Sequence, residues 1–132
     1  MKTPNQLERK SMQVFLTGTE RLEKMNAEMW TRIHNITNLN ATILIGNYRG
    51  FDQLALAFLN ILEYRNVKVY ETGSGLSFGY PIINVGRYPR QDIEMSRSAD
   101  YMLAVYDGLS YGVKANLRRM PAERTRIIYV NI

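Results

Sequence analysis

Short apolar runs alternate along the chain with longer segments of helical periodicity. The runs are rich in Val, Ile, Leu, Phe and Tyr, and they have the length and the polar flanks of buried strands. They cover residues 12–17, 41–45, 67–71, 100–106 and 126–131. The pattern therefore predicts five short strands, most of them buried on both faces.

The segments between these runs predict helices. In the first, apolar residues recur three and four positions apart, as on one face of a helix. They are Leu22, Met25, Met29, Ile33 and Ile36. Asp52 is placed as the N-cap of a second helix over residues 53–65, and shorter helices are predicted over 90–98 and 113–119.

This alternation defines the fold class. Strands that alternate with helices form a parallel sheet joined by right-handed crossovers. We expect an α/β, Rossmann-like fold with a five-stranded, mainly parallel sheet and helices on both faces. The length of 132 residues suits one domain, predicted over residues 12–132, and the polar residues 1–11 are expected to form a loose arm.

The second helix has an unusual distribution of apolar residues. Leu54, Leu56, Phe58, Leu59, Ile61 and Leu62 cover most of its circumference. A helix that is apolar on several sides is buried on several sides. In a domain this small we expect a second subunit to provide the additional cover, and we predict a homo-oligomer through the helix from Leu54 to Leu62.

Composition excludes several kinds of chemistry. The chain has no cysteine and one histidine, His34, so disulfides, thiolate metal sites and Ser/His/Asp triads are not expected. No bound metal and no cofactor are predicted. Because the sequence lacks both a membrane-length apolar run and a signal peptide, a cytoplasmic protein without membrane contact is expected. The net charge is +5, with a basic C-terminal segment that either attracts an anionic ligand or is a solvated surface.

The segments that follow the first four strands are rich in glycine, hydroxyl, amide and acidic residues. In parallel α/β sheets, ligands bind at the carboxyl ends of the strands where the strand order reverses. These segments are therefore expected to form the ligand site. Its candidate residues are Gly18, Thr19, Glu20, Gly46, Asn47, Tyr48, Asp52, Gly73, Asp107, Gly108, Ser110, Tyr111, Gly112, Val113 and Lys114.

The segment 107–114 is the best candidate for binding phosphate. Gly108 and Gly112 flank Ser110 ahead of a helix that carries Lys114, so backbone N–H groups, a hydroxyl and an ammonium are expected to converge there. Arg87 and Arg90 are expected to clamp a phosphate from the long glycine-rich loop. The alternative is that these glycines only form turns, with Asp52 and Asp107 as a helix cap and a loop former. Neither the dinucleotide fingerprint nor the P-loop motif occurs.

Four stretches of the chain resemble the SLOG superfamily of Rossmann-like nucleotide-binding domains. They are VFLTGTERL, ILIGNYRGFD, VKVYETG and MSRSADYMLAVYDGLSYGVKANL, within a likeness that runs from about residue 12 to the end. Gly46, Gly50 and Asp52 match one motif of that superfamily, and Ala99, Asp100, Asp107, Gly108, Ser110 and Gly112 match another. The superfamily includes LOG phosphoribohydrolases, DprA recombination mediators and nucleotide sensors of defence systems. The resemblance implies a nucleotide ligand and an oligomeric state.

The resemblance also bears on catalysis. LOG-type hydrolases carry P-G-G-x-G-T-x-E-E, but here the corresponding loop is longer by two, Val113 replaces the Thr, and Ala115 and Asn116 replace the two glutamates. An amide cannot supply the negative charge that an oxocarbenium-like transition state needs. This departure favours a stand-alone protein that captures or senses a nucleotide, a cyclic nucleotide or an ADP-ribose-type signal.

An enzymatic alternative remains open. It is an N-glycoside hydrolase or transferase acting on nucleoside monophosphates, with Asp107 and Glu20 as the candidate catalytic carboxylates. Nucleic acid is not expected as a partner, because the basic residues near the C-terminus are few and lie on both sides of Pro121.

Overall fold

The computed structural model describes residues 11–132, and over this range it is an α/β protein with a six-stranded parallel sheet and four α-helices. The predicted arm at 1–11 lies outside the described residues except for Ser11, whose hydroxyl hydrogen-bonds that of Thr42 at 2.7 Å. The elements in chain order are β1 (Gln13–Gly18), α1 (Ala27–Asn38), β2 (Thr42–Gly46), α2 (Phe51–Ile61), β3 (Val67–Tyr70), β4 (Ile82–Ile83), α3 (Arg90–Ser98), β5 (Tyr101–Tyr106), α4 (Tyr111–Arg119), the 3₁₀ turn Ala122–Arg124 and β6 (Thr125–Tyr129).

The strand order across the sheet is β4-β3-β2-β1-β5-β6, and every neighbouring pair is parallel. From β1 the chain adds strands in one direction as far as β4, then returns to place β5 on the other side of β1. In the register, Phe15 of β1 lies between Leu44 of β2 and Met102 of β5. The order of strands therefore reverses between β1 and β5.

The expected number of five strands was wrong. The additional strand, β4, lies inside the segment 72–89, which was predicted to be a loop. It joins the sheet through backbone bonds from the N–H of Val69 to the carbonyl of Pro81 (3.0 Å) and from the N–H of Glu71 to the carbonyl of Ile83 (2.8 Å). Only two residues pair with β3, and the surrounding glycines and prolines conceal so short a strand in the sequence.

Helices cover both faces of the sheet. On one face, α1 and α2 pack Met29, Ile33, Leu56 and Leu59 against strand residues that include Leu16. On the other, α3 and α4 contribute Met95 and Val113, which pack with Phe15, Leu44 and Met102. Neighbouring side chains of β1 enter opposite clusters, as strand geometry requires. The central strands are therefore buried on both sides, which explains their continuous apolar runs.

Three helices begin at different residues from those predicted, and one of them, α4, begins at Tyr111, two residues before its predicted start. α1 begins at Ala27 because Asn26 caps it, its Oδ1 accepting a hydrogen bond from the N–H of Met29 at 2.9 Å. Leu22 precedes the helix but is still buried in the core. The N-cap of α2 is Gly50, so the prediction of Asp52 in that role was wrong. Asp52 lies in the first turn of α2.

The apolar circumference of α2 is only partly covered. Ala55, Leu56 and Leu59 are buried, whereas the side chain of Ile61 is 75% exposed. Trp30 of α1 packs edge-on against Phe58, with 4.2 Å between ring centroids. Trp30 therefore supplies some of the cover that the sequence assigned to a second subunit, and self-association stays a prediction. Within residues 11–132, no helix combines the length and the hydropathy of a membrane span.

Candidate functional site

A cavity of about 490 Å³ opens at the carboxyl ends of β1 and β5. This is the point where the strand order reverses, and it is where α/β sheets of this kind bind ligands. The cavity is lined by Thr17, Gly18, Glu20, Arg21, Tyr48, Arg49, Tyr88, Asp92, Asp107, Leu109, Ser110, Tyr111, Gly112 and Val113. Of the residues predicted from the sequence, it brings together Gly18, Glu20, Tyr48, Asp107, Ser110, Tyr111, Gly112 and Val113.

The wall at the end of β1 is held in place by close packing and backbone hydrogen bonds. A Cβ at Gly18 would overlap the ring of Phe51, so only glycine lets α2 approach the strand this closely. Thr19 is fully buried, and its N–H donates to the carbonyl of Val105 at 3.0 Å. Its carbonyl accepts a hydrogen bond from the N–H of Phe51 at 3.2 Å. Thr19 thus joins β1, β5 and α2 and does not line the cavity.

The wall at the end of β5 is a turn organised by Asp107. The Oδ1 atom of Asp107 accepts hydrogen bonds from the N–H groups of Leu109 and Ser110, both at 2.8 Å. Burial alone would raise the pKa of this carboxyl, but these two N–H groups bring the pKa below its ordinary value. Asp107 is thus an ionised loop former. The N–H groups that α4 leaves without a helical partner belong to the next three residues, Tyr111, Gly112 and Val113.

Asp92 forms the floor of the cavity and was not among the predicted site residues. Its side chain is only 3% exposed, and its Oδ2 accepts a hydrogen bond from Nδ2 of Asn116 at 3.0 Å. Its Oδ1 accepts a hydrogen bond from the hydroxyl of Tyr48 at 3.4 Å. Burial raises the pKa of the Asp92 carboxyl above its ordinary value. The cavity therefore contains a carboxyl group that is held by neutral donors.

Asn116 connects this floor to β1 and to the end of α4. It is fully buried, and its Nδ2 also donates to the hydroxyl of Thr17 at 3.1 Å. Its Oδ1 accepts a hydrogen bond from Nη1 of Arg119 at 2.6 Å. The sequence identified Asn116 only as a replacement for a glutamate of the LOG motif. The structure places it at the centre of a buried polar network that orients Asp92.

Asp92 was not predicted because most of the candidate residues lie in the segments that directly follow strands, and Asp92 does not. Asp92 lies in the first turn of α3, where an acidic residue is ordinary because it complements the helix dipole. Its role depends on contacts with residues 24 and 44 positions away in the chain. One signal in the sequence could have identified it. Asp92 lies three positions before Met95 and therefore on the apolar face of a short helix, where a carboxylate is unusual.

The rim of the cavity combines tyrosines and arginines. The rings of Tyr48 and Tyr88 meet edge to face, with 6.5 Å between centroids. Burial raises the pKa of both phenols, so their hydroxyls stay neutral hydrogen-bond donors. Arg21 and Arg49 bring positive charge, and Arg49 lies 3.4 Å from a carboxylate oxygen of Glu20. Both side chains of this pair are at least half exposed, so the pair is weak and its charges can turn towards a ligand.

Several predicted residues build the neighbouring loops and do not line the cavity. Asn47 is fully buried, and it accepts a hydrogen bond from the N–H of Thr72 (2.8 Å) and donates to Glu71 (3.0 Å), which joins β2 to the loop after β3. Arg90 lies 3.6 Å from Glu94 on α3. The predicted residues outside the cavity lining are Thr19, Gly46, Asn47, Asp52, Gly73, Arg87, Arg90, Gly108 and Lys114. The positive charge at the rim thus comes from the guanidinium groups of Arg21 and Arg49 and not, as predicted, from the ammonium of Lys114.

Asp52 makes a testable contribution to the pH dependence of stability. It is 3% exposed, accepts a hydrogen bond from the N–H of Tyr48 at 3.3 Å, and burial raises its pKa well above the ordinary value. The stability contributed by its protonated form is fully present below about pH 4, where an unfolded Asp titrates, and it is lost as the pH rises through the raised pKa. We expect the free energy of unfolding to fall between pH 4 and 8 more steeply in the wild type than in Asp52→Asn.

Urea denaturation at each pH measures this difference. Glu23→Gln removes an exposed carboxylate and is the control, expected to follow the wild-type curve. Parallel curves for the wild type and Asp52→Asn would contradict the assignment of Asp52 as a buried, proton-binding group.

No group of three or more His, Cys, Asp or Glu side chains within residues 11–132 is arranged to hold a metal ion.

Comparison with known proteins does not assign the chain to a family. No protein-family model matches it, and no curated protein is significantly similar to it in sequence. Function is therefore inferred from the cavity and from the motifs of the sequence.

Proposed function

We propose that this protein is a SLOG-like, Rossmann-like domain that binds a phosphate-bearing nucleotide, or a signal derived from one, and acts by capture or sensing. The observation that carries the proposal is the cavity between β1 and β5. It combines the amino end of a helix, a buried carboxyl group and several tyrosines at the point where the strand order reverses. Its volume of about 490 Å³ is within the usual range for small-molecule sites.

The phosphate is assigned to the first turn of α4. Asp107 already occupies the N–H groups of Leu109 and Ser110, so the free donors are those of Tyr111, Gly112 and Val113. The positive end of the helix dipole favours an anion at this position. Arg21 and Arg49 add the charge that offsets the acidic residues of the cavity.

The sugar and the base are assigned to the remaining parts of the cavity. A carboxyl group held by neutral donors suits the hydroxyls of a sugar, which places the sugar over Asp92 and beside the hydroxyl of Tyr48. The exposed rings of Tyr88 and Tyr111 offer flat apolar surfaces on which a base stacks.

A binding screen tests the proposal. Thermal shift and calorimetry would compare adenosine and guanosine monophosphates, ADP-ribose and cyclic dinucleotides with adenosine and inorganic phosphate. A nucleotide at 100 times its Kd should stabilise the fold by about 2.7 kcal/mol. We expect Arg49→Gln to weaken binding and Arg90→Gln to leave it unchanged, since each arginine pairs with a glutamate at the surface but only Arg49 lines the cavity. Absence of binding by every nucleotide would reject the proposal.

A second candidate function is N-glycosidic cleavage of nucleoside monophosphates, and the observation that favours it is Asp92. This reaction passes through an oxocarbenium-like transition state that a carboxylate stabilises. Asp92 is the most deeply buried carboxyl group that lines the cavity, whereas Asp107 is committed to its turn. Chromatography for free base after incubation with nucleoside monophosphates tests this function. Base release that Asp92→Asn does not diminish would contradict the role of Asp92.

Two broader expectations belong to the same proposal. We propose that the protein acts in the cytoplasm and that it self-associates through the segment from Leu54 to Leu62, where Ile61 and Leu62 remain exposed. A monomer mass in light scattering at micromolar concentration would contradict the oligomer.

A further inference from the structure

A second cavity, of about 530 Å³, lies at the opposite edge of the sheet from the cavity between β1 and β5, which we call the nucleotide cavity after its proposed ligand. It is formed by the amino ends of β1, β5 and β6, by the 3₁₀ turn, and by the carboxyl-terminal half of α1. We call it the amino-edge groove. None of its lining residues belongs to the nucleotide cavity. A ligand in one cavity therefore leaves the other free.

The surface of the amino-edge groove is apolar and accessible. Leu39, at the end of α1, is 63% exposed, and Tyr101, at the start of β5, is 46% exposed. Met12 and Ile36 extend the same surface. Contiguous exposed apolar residues of this kind, bordered by polar ones, mark surfaces that bind a partner.

Arginines border this apolar surface. Arg32, Arg124 and Arg126 line the groove together with a single acidic residue, Glu123. None of the three arginines forms an ion pair with a carboxylate in the part of the chain that the structure describes. Arginine is suited to binding carboxylates because its guanidinium donates two parallel hydrogen bonds. Arg124 and Arg126, two basic residues of the C-terminal segment, thus line this groove and do not line the nucleotide cavity.

We propose that the amino-edge groove docks an acidic, amphipathic peptide segment of a partner protein. Its apolar side chains pack on Leu39 and Tyr101, and its carboxylates pair with the arginines of the rim, as in helix-in-groove and acidic-motif recognition. The chain's own residues 1–10 do not fit this role, because they contain Lys2, Arg9 and Lys10 against Glu8 and share the sign of the rim. Nucleic acid fits less well, since its phosphates would leave the exposed aliphatic surface uncovered.

Peptide titrations followed by ¹⁵N-resolved NMR test the proposal. The probes are 12-residue peptides with Glu on one helical face and Leu, Phe or Trp on the other, matched peptides with Lys in place of Glu, and a single-stranded 12-nucleotide DNA. We expect at least one acidic peptide to bind, to shift the amide signals of Leu39, Tyr101 and Arg126, and to bind more weakly as salt rises. The Lys peptides should not bind.

Matched charge variants locate the site. Arg124→Glu with Arg126→Glu should weaken binding of the acidic peptide at least tenfold. Arg65→Glu with Arg87→Glu makes the same change in net charge at exposed positions outside the groove and should leave binding unchanged. Failure of every acidic peptide to bind, amide shifts confined to other surfaces, or tighter binding by the DNA would overturn the proposal. Nucleotide binding is measured separately, so this result does not depend on the proposed function.

Discussion

Replacing Asp92 with Asn is expected to weaken nucleotide binding by about 10- to 100-fold, the usual effect of losing a hydrogen bond to a charged group. The amide oxygen keeps the bond from Asn116, but the group loses the negative charge and half of the acceptor capacity that it offers to sugar hydroxyls. The fold should not lose stability, because burial raises the pKa of Asp92 and a neutral amide costs less to bury than a carboxylate. Isothermal titration with the tightest nucleotide of the screen measures the change.

Asp52→Asn is the matched control for this experiment. Asp52 and Asp92 are both 3% exposed and both have raised pKa values, but only Asp92 lines the cavity. The control should therefore bind nucleotide as the wild type does. If Asp92→Asn binds nucleotide as tightly as the wild type, the sugar does not contact Asp92. A loss of affinity in both variants would indicate a general effect of the buried carboxyl groups.

Gly50→Ala is expected to destabilise the protein by about 2 to 5 kcal/mol, from two separate causes. Gly50 has a φ of +77°, a conformation that L-residues adopt at a cost. A Cβ there would also collide with the backbone carbonyl oxygen of Glu20. This contact holds the loop before α2 against the β1 wall of the cavity, so the collision would move both. Urea denaturation measures the loss of stability.

Gly73→Ala separates the two causes. Gly73 has a φ of +78°, but a Cβ at this position meets no atom within 4 Å. This variant therefore has the backbone cost alone, and we expect a loss of about 1 kcal/mol. Similar losses in the two variants would show that the close approach of Gly50 to Glu20 contributes nothing.

The local elements of this protein are largely encoded in short stretches of sequence. The segment 90–98 is helical over the predicted residues, and five strands lie within two residues of their predicted bounds. These strands were recognised because burial on both faces requires continuous apolar runs. Where prediction was wrong, the signal was weak or ambiguous: β4 has only two residues, and Asp52 follows a glycine that takes the cap position itself.

The candidate site was likewise predicted only in part from the sequence. The alternation of strands and helices predicted that the loops after β1 and β5 would meet at one edge of the sheet, and eight of the predicted residues line the cavity there. Nothing in the sequence identified Asp92 as the floor of that cavity. Its position in the site depends on Tyr48 and Asn116, which contact it only after α3, α4 and the loop that follows β2 have packed at the end of the sheet.

The sequence by itself thus determined the fold class, the positions of the main elements and the edge of the sheet at which the candidate cavity opens, because these follow from local periodicity and from the chirality of the crossovers. Only the tertiary structure decided the strand order, the exclusion of Lys114 and Asp52 from the cavity, and the pairing of Asp92 with Asn116. Those features depend on contacts between residues far apart in the chain, and a hydrogen bond between buried side chains leaves no periodic pattern in the sequence.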